Sequence, residues 1–249
     1  MMSTPPIIPY EELKVGKKEQ VRDMFNKIAP RYDFMNRLLT LRIDVLWRRK
    51  AVKLVKPYSP KQILDVATGT GDFAIEMAKI LSPEKIIGID IADTMLEIGR
   101  KKIAHKGLAS LIEMKEADSE NLPFSDNFFD VASSSFGVRN FENLEKGLSE
   151  MLRVLKPGGR ILILEASDPK NMRLKGLYNI FMKRICPAIG GLFSENKAYD
   201  YLNRSVAAFP AGNEFVSILH KIGFNRAICI PLSMGVASIY VAEKTSITK

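Results

Sequence analysis

The sequence predicts an α/β protein with a seven-stranded, mostly parallel sheet and helices on both of its faces. From residue 63 onward, short apolar runs alternate with amphipathic helical segments, which is the pattern of parallel strands joined by helices. The first apolar run ends in a glycine-rich turn, "ATGTGD" at 67–72. With 249 residues and 46% apolar content, the chain can also bury one full core.

Residues 1–61 are predicted to form a helical cap before the sheet. A first helix is expected at 17–29, and we expect Pro30 to end it. Its apolar face comprises Val21, Met24, Phe25 and Ile28. A second helix is predicted at 42–55.

Residues 62–165 are predicted to form the ligand-binding core. Its elements, in chain order, are strand 63–66, helix 72–80, strand 85–89, helix 94–105, strand 110–115, strand 128–134, helix 143–154 and strand 160–165. The segment "LKPGGR" at 155–160 is predicted to be the turn between the last helix and the last strand.

The remainder of the chain is predicted to form a helical lid and a closing unit. The lid, residues 166–210, is an insertion before the last two strands and contains helices at 171–186 and 196–208. The closing unit, residues 211–249, has helix 213–222 followed by strands 226–230 and 236–242. No internal repeat or long linker interrupts the sequence, so residues 1–249 are expected to form one domain.

Charge and composition restrict the function classes. The formal charge of +9 lies outside the core, since residues 1–61 carry 14 Lys/Arg against 6 Asp/Glu and residues 62–165 carry 12 against 17. Such a basic surface suits nucleic acid, an anionic membrane face or simple solubility. No run of about 18 apolar residues and no signal-like start occurs, so we expect a soluble, cytoplasmic protein. Cys186 and Cys229 lie far apart without a His partner, so neither a disulfide nor a metal is expected.

The glycine-rich turn is typical of a site for a nucleotide-like ligand, because glycines let the backbone approach the ligand. Gly69, Gly71 and Ala74 fit the loose dinucleotide fingerprint of nicotinamide and flavin enzymes. Asp65, four residues before the first glycine, instead favours a ligand with positive charge, such as the amino group and sulfonium of S-adenosylmethionine. The alternative role for Asp65 is a capping acid at a strand end.

Three further polar residues follow the second and third predicted strands. Asp90 ends the apolar run "KIIGID" and is placed to accept hydrogen bonds from ribose hydroxyls, which both cofactor classes carry. Asp118 and Ser119 follow the third strand, where an adenine amino group could be recognised. The alternative for this pair is an ordinary polar loop.

Five segments identify a family. They are "FNKIAPRYDFMNRLLT" at 25–40, "DVATGTGD" at 65–72, "ENLPFSDNFFD" at 120–130, "SFGVRNF" at 135–141 and "RVLKPGGRILILEAS" at 153–167. Through them the chain, from about Val21 to Val241, resembles the class I S-adenosylmethionine methyltransferases. Within that class it resembles the ubiquinone/menaquinone biosynthesis C-methyltransferases. It departs from the family pattern at Thr40, and at Asp44 and Tyr240, where relatives often carry His.

The resemblance implies C-methylation of a polyprenylated hydroquinone with S-adenosylmethionine as methyl donor and without a metal. "DVATGTGD" is closer to the menaquinone branch, which converts demethylmenaquinol to menaquinol, than to the ubiquinone branch, which methylates a demethoxy-ubiquinol precursor. The cofactor-binding residues that follow from the resemblance and the turn chemistry are Asp65, Gly69, Thr70, Gly71, Asp90, Asp118, Ser119 and Ser135.

A ring-carbon acceptor also determines the catalytic candidates. A hydroquinone carbon becomes nucleophilic when the neighbouring hydroxyl ionises, which at pH 7 takes about 4 kcal/mol for a phenol with a pKa near 10. Arg139 in "SFGVRN" follows a strand that points at the cofactor, where a guanidinium can stabilise a phenolate. Its alternative role is to pair with a structural carboxylate. The further catalytic candidates are Asn140, Tyr32 and Asp33, with Tyr32 and Asp33 ordering the cap and Asp33 as the candidate base.

The lid segment 171–193 interleaves apolar and basic residues. Such a helix can rest on the anionic inner face of the cell membrane, line a groove for an isoprenoid tail, or simply pack on the domain. Nucleic acid is not expected as a partner, because neither a base-flipping turn nor an aromatic RNA platform occurs. Whether the protein forms a homodimer is left open by the sequence.

Overall fold

A computed structural model describes residues 7–168 and 196–246, and its centre is a seven-stranded sheet in the order β3-β2-β1-β4-β5-β7-β6. The strands are β1 Gln62–Val66, β2 Lys85–Asp90, β3 Ile112–Glu116, β4 Phe129–Ser135, β5 Leu155–Ala166, β6 Phe224–Leu232 and β7 Ala237–Lys244. β7 runs antiparallel to both of its neighbours, and the other pairs are parallel. The predicted fold class is confirmed.

The described helices are α1 Lys17–Leu39, α2 Ile43–Val55, α3 Asp72–Leu81, α4 Asp93–His105, α5 Leu144–Val154, α6 Asn196–Ala208 and α7 Asn213–Ile222. Short 3₁₀ turns occupy Lys56–Tyr58, Val138–Asn140 and Ser233–Gly235. The predicted helix 171–186 lies outside the described residues.

Alternation along the strands builds a separate core on each face of the sheet. In β1, Leu64 and Val66 belong to the core that α5 and α7 cover, whereas Ile63 belongs to the core that α2, α3 and α4 cover. Successive side chains of a strand point to opposite faces, so an unbroken apolar run is what a sheet with two covered faces requires.

Two predicted boundaries are wrong. Pro30 does not end α1, which continues to Leu39. Proline removes one helical hydrogen bond and crowds the preceding turn. Tertiary packing outweighs this penalty, since Ala29 packs in one cluster with Ala92 and Met95 at the start of α4.

The second error concerns "LKPGGR". It belongs to β5, because Leu155 is paired with Phe129 and Arg160 with Val131. The residues between them bulge out of the ladder, with Gly158 at a φ of +78°. The expected change of direction is therefore present, but inside a strand.

The sheet order places the candidate site. β1 lies between β2 and β4, so the chain leaves β1 toward one edge of the sheet and returns from β3 to β4 on the other side. In such sheets ligands bind beyond the carboxyl ends of the strands at this reversal. The glycine-rich turn, Asp90, the loop after β3 and the loop after β4 all lie there.

Candidate active site

Two cavities lie side by side at the carboxyl edge of the sheet. The small cavity, of about 70 Å³, is bounded by the loops after β1 to β4 and by α1. The large cavity, of about 560 Å³, lies between α1, α2, α6 and the turn at 233–236, and most of its lining side chains are apolar. Phe25, Tyr32 and Phe136 line both cavities. The two spaces therefore share an aromatic wall.

The glycine-rich turn is tied to the end of β2. The amide of Gly69 donates to Oδ2 of Asp90 at 2.8 Å, and the amide of Ala92 donates to Oδ1 at 2.9 Å. Gly69 has a φ of +56°, which favours glycine, and a side chain there would meet open space. Burial raises the pKa of Asp90, while these backbone hydrogen bonds oppose the rise. Both Gly69 and Asp90 line the small cavity, and their role in cofactor binding stays a prediction.

Asp65 supports the turn from below. It is fully buried, and its carboxylate accepts hydrogen bonds from Thr68 Oγ1 at 2.6 Å and from Ser133 Oγ at 2.8 Å. Burial raises its pKa to about 6. Asp65 lies outside the lining of both cavities, so its predicted contact with a cationic ligand stays a prediction.

Thr70 and Gly71 also lie outside the cavity linings. Gly71 is the residue before α3 and has a φ of +79°, so it serves the turn by its backbone. Thr70 donates to Oδ1 of Asp33 at 2.6 Å and accepts from Lys102 Nζ at 2.9 Å. The structure thus places Asp33, the candidate base, against Thr70 and Lys102 and not beside either cavity.

These contacts belong to a larger ion cluster that joins α1, α2, α3 and α4. Its members are Asp33, Arg37, Asp44, Arg48, Asp72 and Lys102. Asp72 pairs with Lys102 and with Arg37, each at 2.8 Å. Burial opposes ionisation of Asp72, yet Lys102 and the arginines hold its pKa below the usual value. The cluster carries three charges of each sign and fixes the cap on the glycine-rich turn.

Of the three departures from the family pattern, Thr40 and Asp44 lie together, whereas Tyr240 lies elsewhere. Asp44 is buried in the ion cluster, pairing with Arg48 at 2.5 Å and accepting from Thr40 Oγ1 at 2.8 Å, and it lines the large cavity. A carboxylate is what Arg48 requires at this position. Tyr240 lies in the core, and its hydroxyl accepts from the amide of Gly212 at 2.8 Å.

The loop after β3 closes one side of the small cavity. Asp118 and Ser119 both line it, and their contact with an adenine stays a prediction. Oδ2 of Asp118 accepts from Lys18 Nζ at 2.7 Å, and Oδ1 accepts from the amide of Glu120 at 2.9 Å. Lys18 also lines the cavity and was not predicted, because nothing local in a surface helix marks a contact 100 residues away.

The loop after β4 supplies polar atoms that lack partners. Ser135 and Asn140 line the small cavity. Ser135 Oγ and Asn140 Oδ1 are buried and have no hydrogen-bond partner within the described residues. Buried polar atoms are nearly always paired, so two unpaired ones beside a cavity fit a polar ligand that completes them. Together with the glycine turn and Asp90, these residues fit S-adenosylmethionine.

Arg139 lies at the wall of the large cavity. Its Nη1 donates to Oε1 of Glu165 and to the carbonyl of Phe136, each at 2.6 Å. Burial works against the charge, but the Glu165 carboxylate raises the pKa of Arg139 above its ordinary value. Arg139 therefore pairs with a buried carboxylate, which was its alternative role, and it also lines the cavity. Its stabilisation of a phenolate stays a prediction. Glu165 was not predicted, although it ends an apolar run just as Asp65 and Asp90 do.

Three tyrosines line the large cavity, Tyr32, Tyr199 and Tyr201. Tyr32, a predicted site residue, packs edge-on against Phe25 with ring centroids 5.9 Å apart, and burial raises its pKa. Tyr201 on α6 was not predicted as a site residue. Its hydroxyl is buried without a partner in the described part of the chain, and burial raises its pKa to about 12. The cavity therefore carries phenol groups among apolar walls.

Residues 7–168 and 196–246 contain neither a candidate metal site nor a candidate membrane-spanning helix. There, no group of three or more His, Cys, Asp or Glu could hold a metal ion. No helix in these ranges combines the length and the apolar content needed to cross a bilayer.

Comparisons with known proteins agree with this geometry. Demethylmenaquinone methyltransferase of Bacteroides fragilis is 45% identical over 95% of this chain and 99% of its own. The ubiquinone/menaquinone biosynthesis C-methyltransferase UbiE of Geobacter sulfurreducens is 46% identical over 92% of this chain and 90% of its own.

Solved structures share the fold at lower identity. A Thermotoga maritima "SAM-dependent methyltransferase, possible histamine N-methyltransferase" has a TM-score of 0.63 at 21% identity, covering 90% of this chain and 99% of that one. The [4+2]-cyclase SpnF has a TM-score of 0.61 at 17% sequence identity, covering 92% of this chain and 97% of that one. At such low identity the similarity shows the fold alone. The sequence profile of the ubiE/COQ5 methyltransferases, by contrast, matches residues 13–244. The resemblance is thus confirmed over most of the chain, which belongs to the ubiE/COQ5 methyltransferase family.

Proposed function

We propose that this methyltransferase transfers the methyl group of S-adenosylmethionine to a ring carbon of demethylmenaquinol, giving menaquinol. The observation that carries the proposal is the pair of adjoining cavities. The small cavity carries polar groups that suit the cofactor, and it would widen beyond its volume of about 70 Å³ to admit the whole molecule. The large apolar cavity suits a prenylated ring, and Phe25, Tyr32 and Phe136 line both cavities where they adjoin. The acceptor carbon would meet the methyl group at this wall.

The small cavity would hold the cofactor through groups already described. Asp90 would bind the ribose hydroxyls, and Asp118 and Ser119 would lie near the adenine. Ser135 Oγ and Asn140 Oδ1 would find in the ligand the partners that they otherwise lack. Asp65 would act through the turn that it supports, adding negative charge beneath a cationic ligand. When bound, S-adenosylmethionine supplies an electrophilic methyl group on its sulfonium.

The large cavity would hold the naphthoquinol and the first part of its tail. Side chains such as Met24, Ile28, Met35 and Val206 give it an apolar lining. Once the acceptor fills it, an apolar site holds little water, which strengthens the few charges that remain in it.

Arg139 would activate the acceptor. A guanidinium beside the quinol oxygen stabilises the phenolate, and the phenolate places electron density on the neighbouring ring carbon. The hydroxyl proton passes to a water next to the guanidinium. After methyl transfer the ring carbon loses its own proton to water and the oxygen regains one, so the ring is aromatic again and S-adenosylhomocysteine leaves. Glu165 keeps Arg139 in this orientation, since it holds one terminal nitrogen from the side of the sheet. Tyr32 and Asn140 would orient the reactants on either side of the wall.

The choice of quinone rests on two observations. The turn reads "DVATGTGD", as expected for the menaquinone branch. Relatives that carry the name demethylmenaquinone methyltransferase match nearly the whole chain, at 45% identity for Bacteroides fragilis and 39% for Porphyromonas gingivalis. Others are named for both quinones, so a demethoxy-ubiquinol precursor is the alternative substrate.

The expected subcellular location follows from the substrate. We expect a cytoplasmic enzyme that contacts the inner face of the cell membrane peripherally, because the isoprenoid tail resides in the bilayer. The basic surplus of residues 1–61 supports such contact. The other segment expected to contribute, 171–193, lies outside the described residues.

One experiment tests the function and the branch together. The purified protein is incubated with S-adenosylmethionine and, separately, with reduced demethylmenaquinone and with reduced demethoxy-ubiquinone precursors of short tail length. Mass spectrometry then scores the gain of one methyl group. We expect methylated naphthoquinol and little product from the benzoquinols. Methylation of the benzoquinols alone would move the enzyme to the ubiquinone branch, and no methylation of either would reject the function.

A further inference from the structure

Two turns beside the large cavity present apolar side chains to solvent. Leu41, in the turn between α1 and α2, is 75% exposed, and Met234, in the turn between β6 and β7, is 65% exposed. These are the highest exposures among the large apolar side chains of residues 7–168 and 196–246. Both residues also line the large cavity. A side chain that lines a cavity and is still mostly exposed lies at its rim.

The backbone at this rim adopts an unfavourable conformation in both turns. Leu41 and Arg42 have φ values of 49° and 64°, and Ser233 and Met234 have values of 46° and 58°. Side-chain-bearing residues rarely adopt this left-handed region, and strain of this kind concentrates at functional sites. Here it holds Leu41 and Met234 outward although neither gains burial from it. Trp47 Nε1 on α2 donates to Ser233 Oγ at 3.0 Å and so joins the helix after the first turn to the second turn.

Positive charge surrounds the same rim. Residues 37–53 contain six Lys/Arg and one acid, Asp44, which is buried against Arg48. Arg42 and Lys50 are exposed and form no ion pair with any described residue. Leu46, on α2 beside Trp47, adds a third apolar side chain at 60% exposure. The rim therefore combines unburied apolar groups with unpaired cations.

We infer that this surface, made of Leu41, Leu46 and Met234 with Arg42 and Lys50, docks on an anionic phospholipid bilayer and turns the large cavity toward the lipid. Apolar side chains enter the boundary between headgroups and acyl chains, while lysines and arginines attract anionic headgroups. Either contribution alone is weak, and stable binding needs both. We call this surface the membrane corner.

A bilayer suits the membrane corner better than a second copy of the chain. A symmetric dimer would bring Arg42 and Lys50 close to their own copies, and like charges repel across such an interface. An anionic bilayer neutralises them instead. The inference rests on the proposed function, because it is the isoprenoid tail of the acceptor that has to pass from lipid into the cavity.

Wild-type binding is measured on vesicles of phosphatidylcholine alone and of phosphatidylcholine mixed with phosphatidylglycerol. Trp47 is the only tryptophan of the sequence and lies at the membrane corner, so its emission reports local contact with lipid. We expect sedimentation with the anionic vesicles only, weakened by salt, and a blue shift of the emission. Equal binding to both vesicle types would overturn the electrostatic part of the inference, and binding without any change in Trp47 emission would overturn its location.

Matched variants then test the surface itself. Leu46→Ser and the pair Arg42→Glu with Lys50→Glu lie outside both cavity linings. One control is Ile228→Ser, which alters an apolar side chain 50% exposed on β6. The other is the pair Lys101→Glu on α4 with Lys106→Glu directly after that helix. We expect vesicle affinity to fall at least fivefold for each charge altered at the membrane corner, at about 1 kcal/mol per charge, and severalfold for Leu46→Ser. The controls should change it by less than twofold.

Turnover separates this inference from the proposed function. With a short-tailed quinol in free solution, Leu46→Ser and the Arg42/Lys50 variant should turn over like wild type. If wild type itself methylates no quinol, the function fails whatever the vesicles show. If the function holds but corner variants bind vesicles as well as wild type does, the inference is wrong. If Leu46→Ser instead dissociates a dimer seen by analytical ultracentrifugation, the surface belongs to a second copy.

Discussion

Nη1 of Arg139 donates a hydrogen bond to Oε1 of Glu165 at 2.6 Å, and Glu165 is completely buried. Arg139 also lines the large cavity, with its Nε unpaired within the described residues. A guanidinium held from behind by a carboxylate loses little further freedom when it meets an oxyanion in front. The Arg139–Glu165 pair is thus a preorganised donor at the place where the quinol oxygen would lie.

Arg139→Ala should lower turnover on the order of 100-fold or more, since one oxyanion-type donor contributes about 3–4 kcal/mol to the barrier. Cofactor affinity, followed by calorimetry, should be retained because Arg139 does not line the small cavity. Arg139→Lys should recover only part of the rate, because an ammonium lacks the planar fork. Normal turnover together with damaged cofactor binding would contradict this role.

Glu165→Gln should destabilise the protein by about 3–5 kcal/mol, because it leaves the buried Arg139 charge without its counter-charge. Urea denaturation followed by circular dichroism measures the change. Glu113→Gln serves as a control, since that carboxylate is 41% exposed and its ion pairs with Lys85 and Lys115 should matter by less than about 1 kcal/mol. Equal losses of unfolding free energy for the two substitutions would show that the buried ion pair stabilises the protein no more than the exposed one.

Asp90→Ala should weaken S-adenosylmethionine binding by about 1–3 kcal/mol, since it removes a charged acceptor for the ribose and frees the amide of Gly69. Isothermal titration calorimetry measures the affinity. The control is Glu116→Ala, an exposed acid at the end of β3 that lines neither cavity. Unchanged affinity in the Asp90 variant would remove Asp90 from the cofactor site.

Asp65 should leave a signature in the pH dependence of stability. Burial raises its pKa to about 6 in the folded protein, above the value of about 3.9 for an unfolded chain. The folded state therefore binds the proton more tightly, so this residue should favour folding increasingly as the pH falls from 6 to 4. The free energy of unfolding rises by about 3 kcal/mol once Asp65 is protonated in both the folded and the unfolded state. Above pH 7 this contribution is absent.

Asp65→Asn is the comparison that isolates this effect from the other carboxylates. The difference in unfolding free energy between wild type and variant should change by about 3 kcal/mol between pH 7 and pH 4, in favour of wild type at the lower pH. Urea denaturation at several pH values supplies the numbers. A difference that stays constant over this range would mean that Asp65 titrates as in water.

Much of the fold follows from local pattern. Apolar runs such as Ile86 to Ile89 are buried on both faces of the sheet, and the glycines at 69 and 71 have the positive φ that their turn requires. The prediction that α1 ends at Pro30 was wrong, because a rule based on local sequence does not include the packing of Ala29 against the start of α4. Long-range packing decides such cases.

The site was only partly predictable for the same reason. Asp90, Asp118, Ser119 and Ser135 were placed by their position after a strand, and all of them line the small cavity. Asp33 and Thr70 were expected at the ligands. Asp33 belongs to the ion cluster, whose members come from four helices, and Thr70 donates a hydrogen bond to it. The sequence did not predict Lys18, Glu165 and Tyr201 as site residues, because their place in the site depends on partners distant in sequence.

The central claim is that the enzyme methylates an electron-rich ring held beside Arg139. Single-turnover methyl transfer to reduced and to oxidised demethylmenaquinone of the same tail length tests it most directly. A quinone ring is electron-poor and cannot attack a methyl group, whereas a phenolate beside a fixed cation can. We predict rapid transfer to the quinol, on the order of 100-fold slower in Arg139→Ala, and no measurable transfer to the quinone. Comparable rates for quinol and quinone would contradict the account.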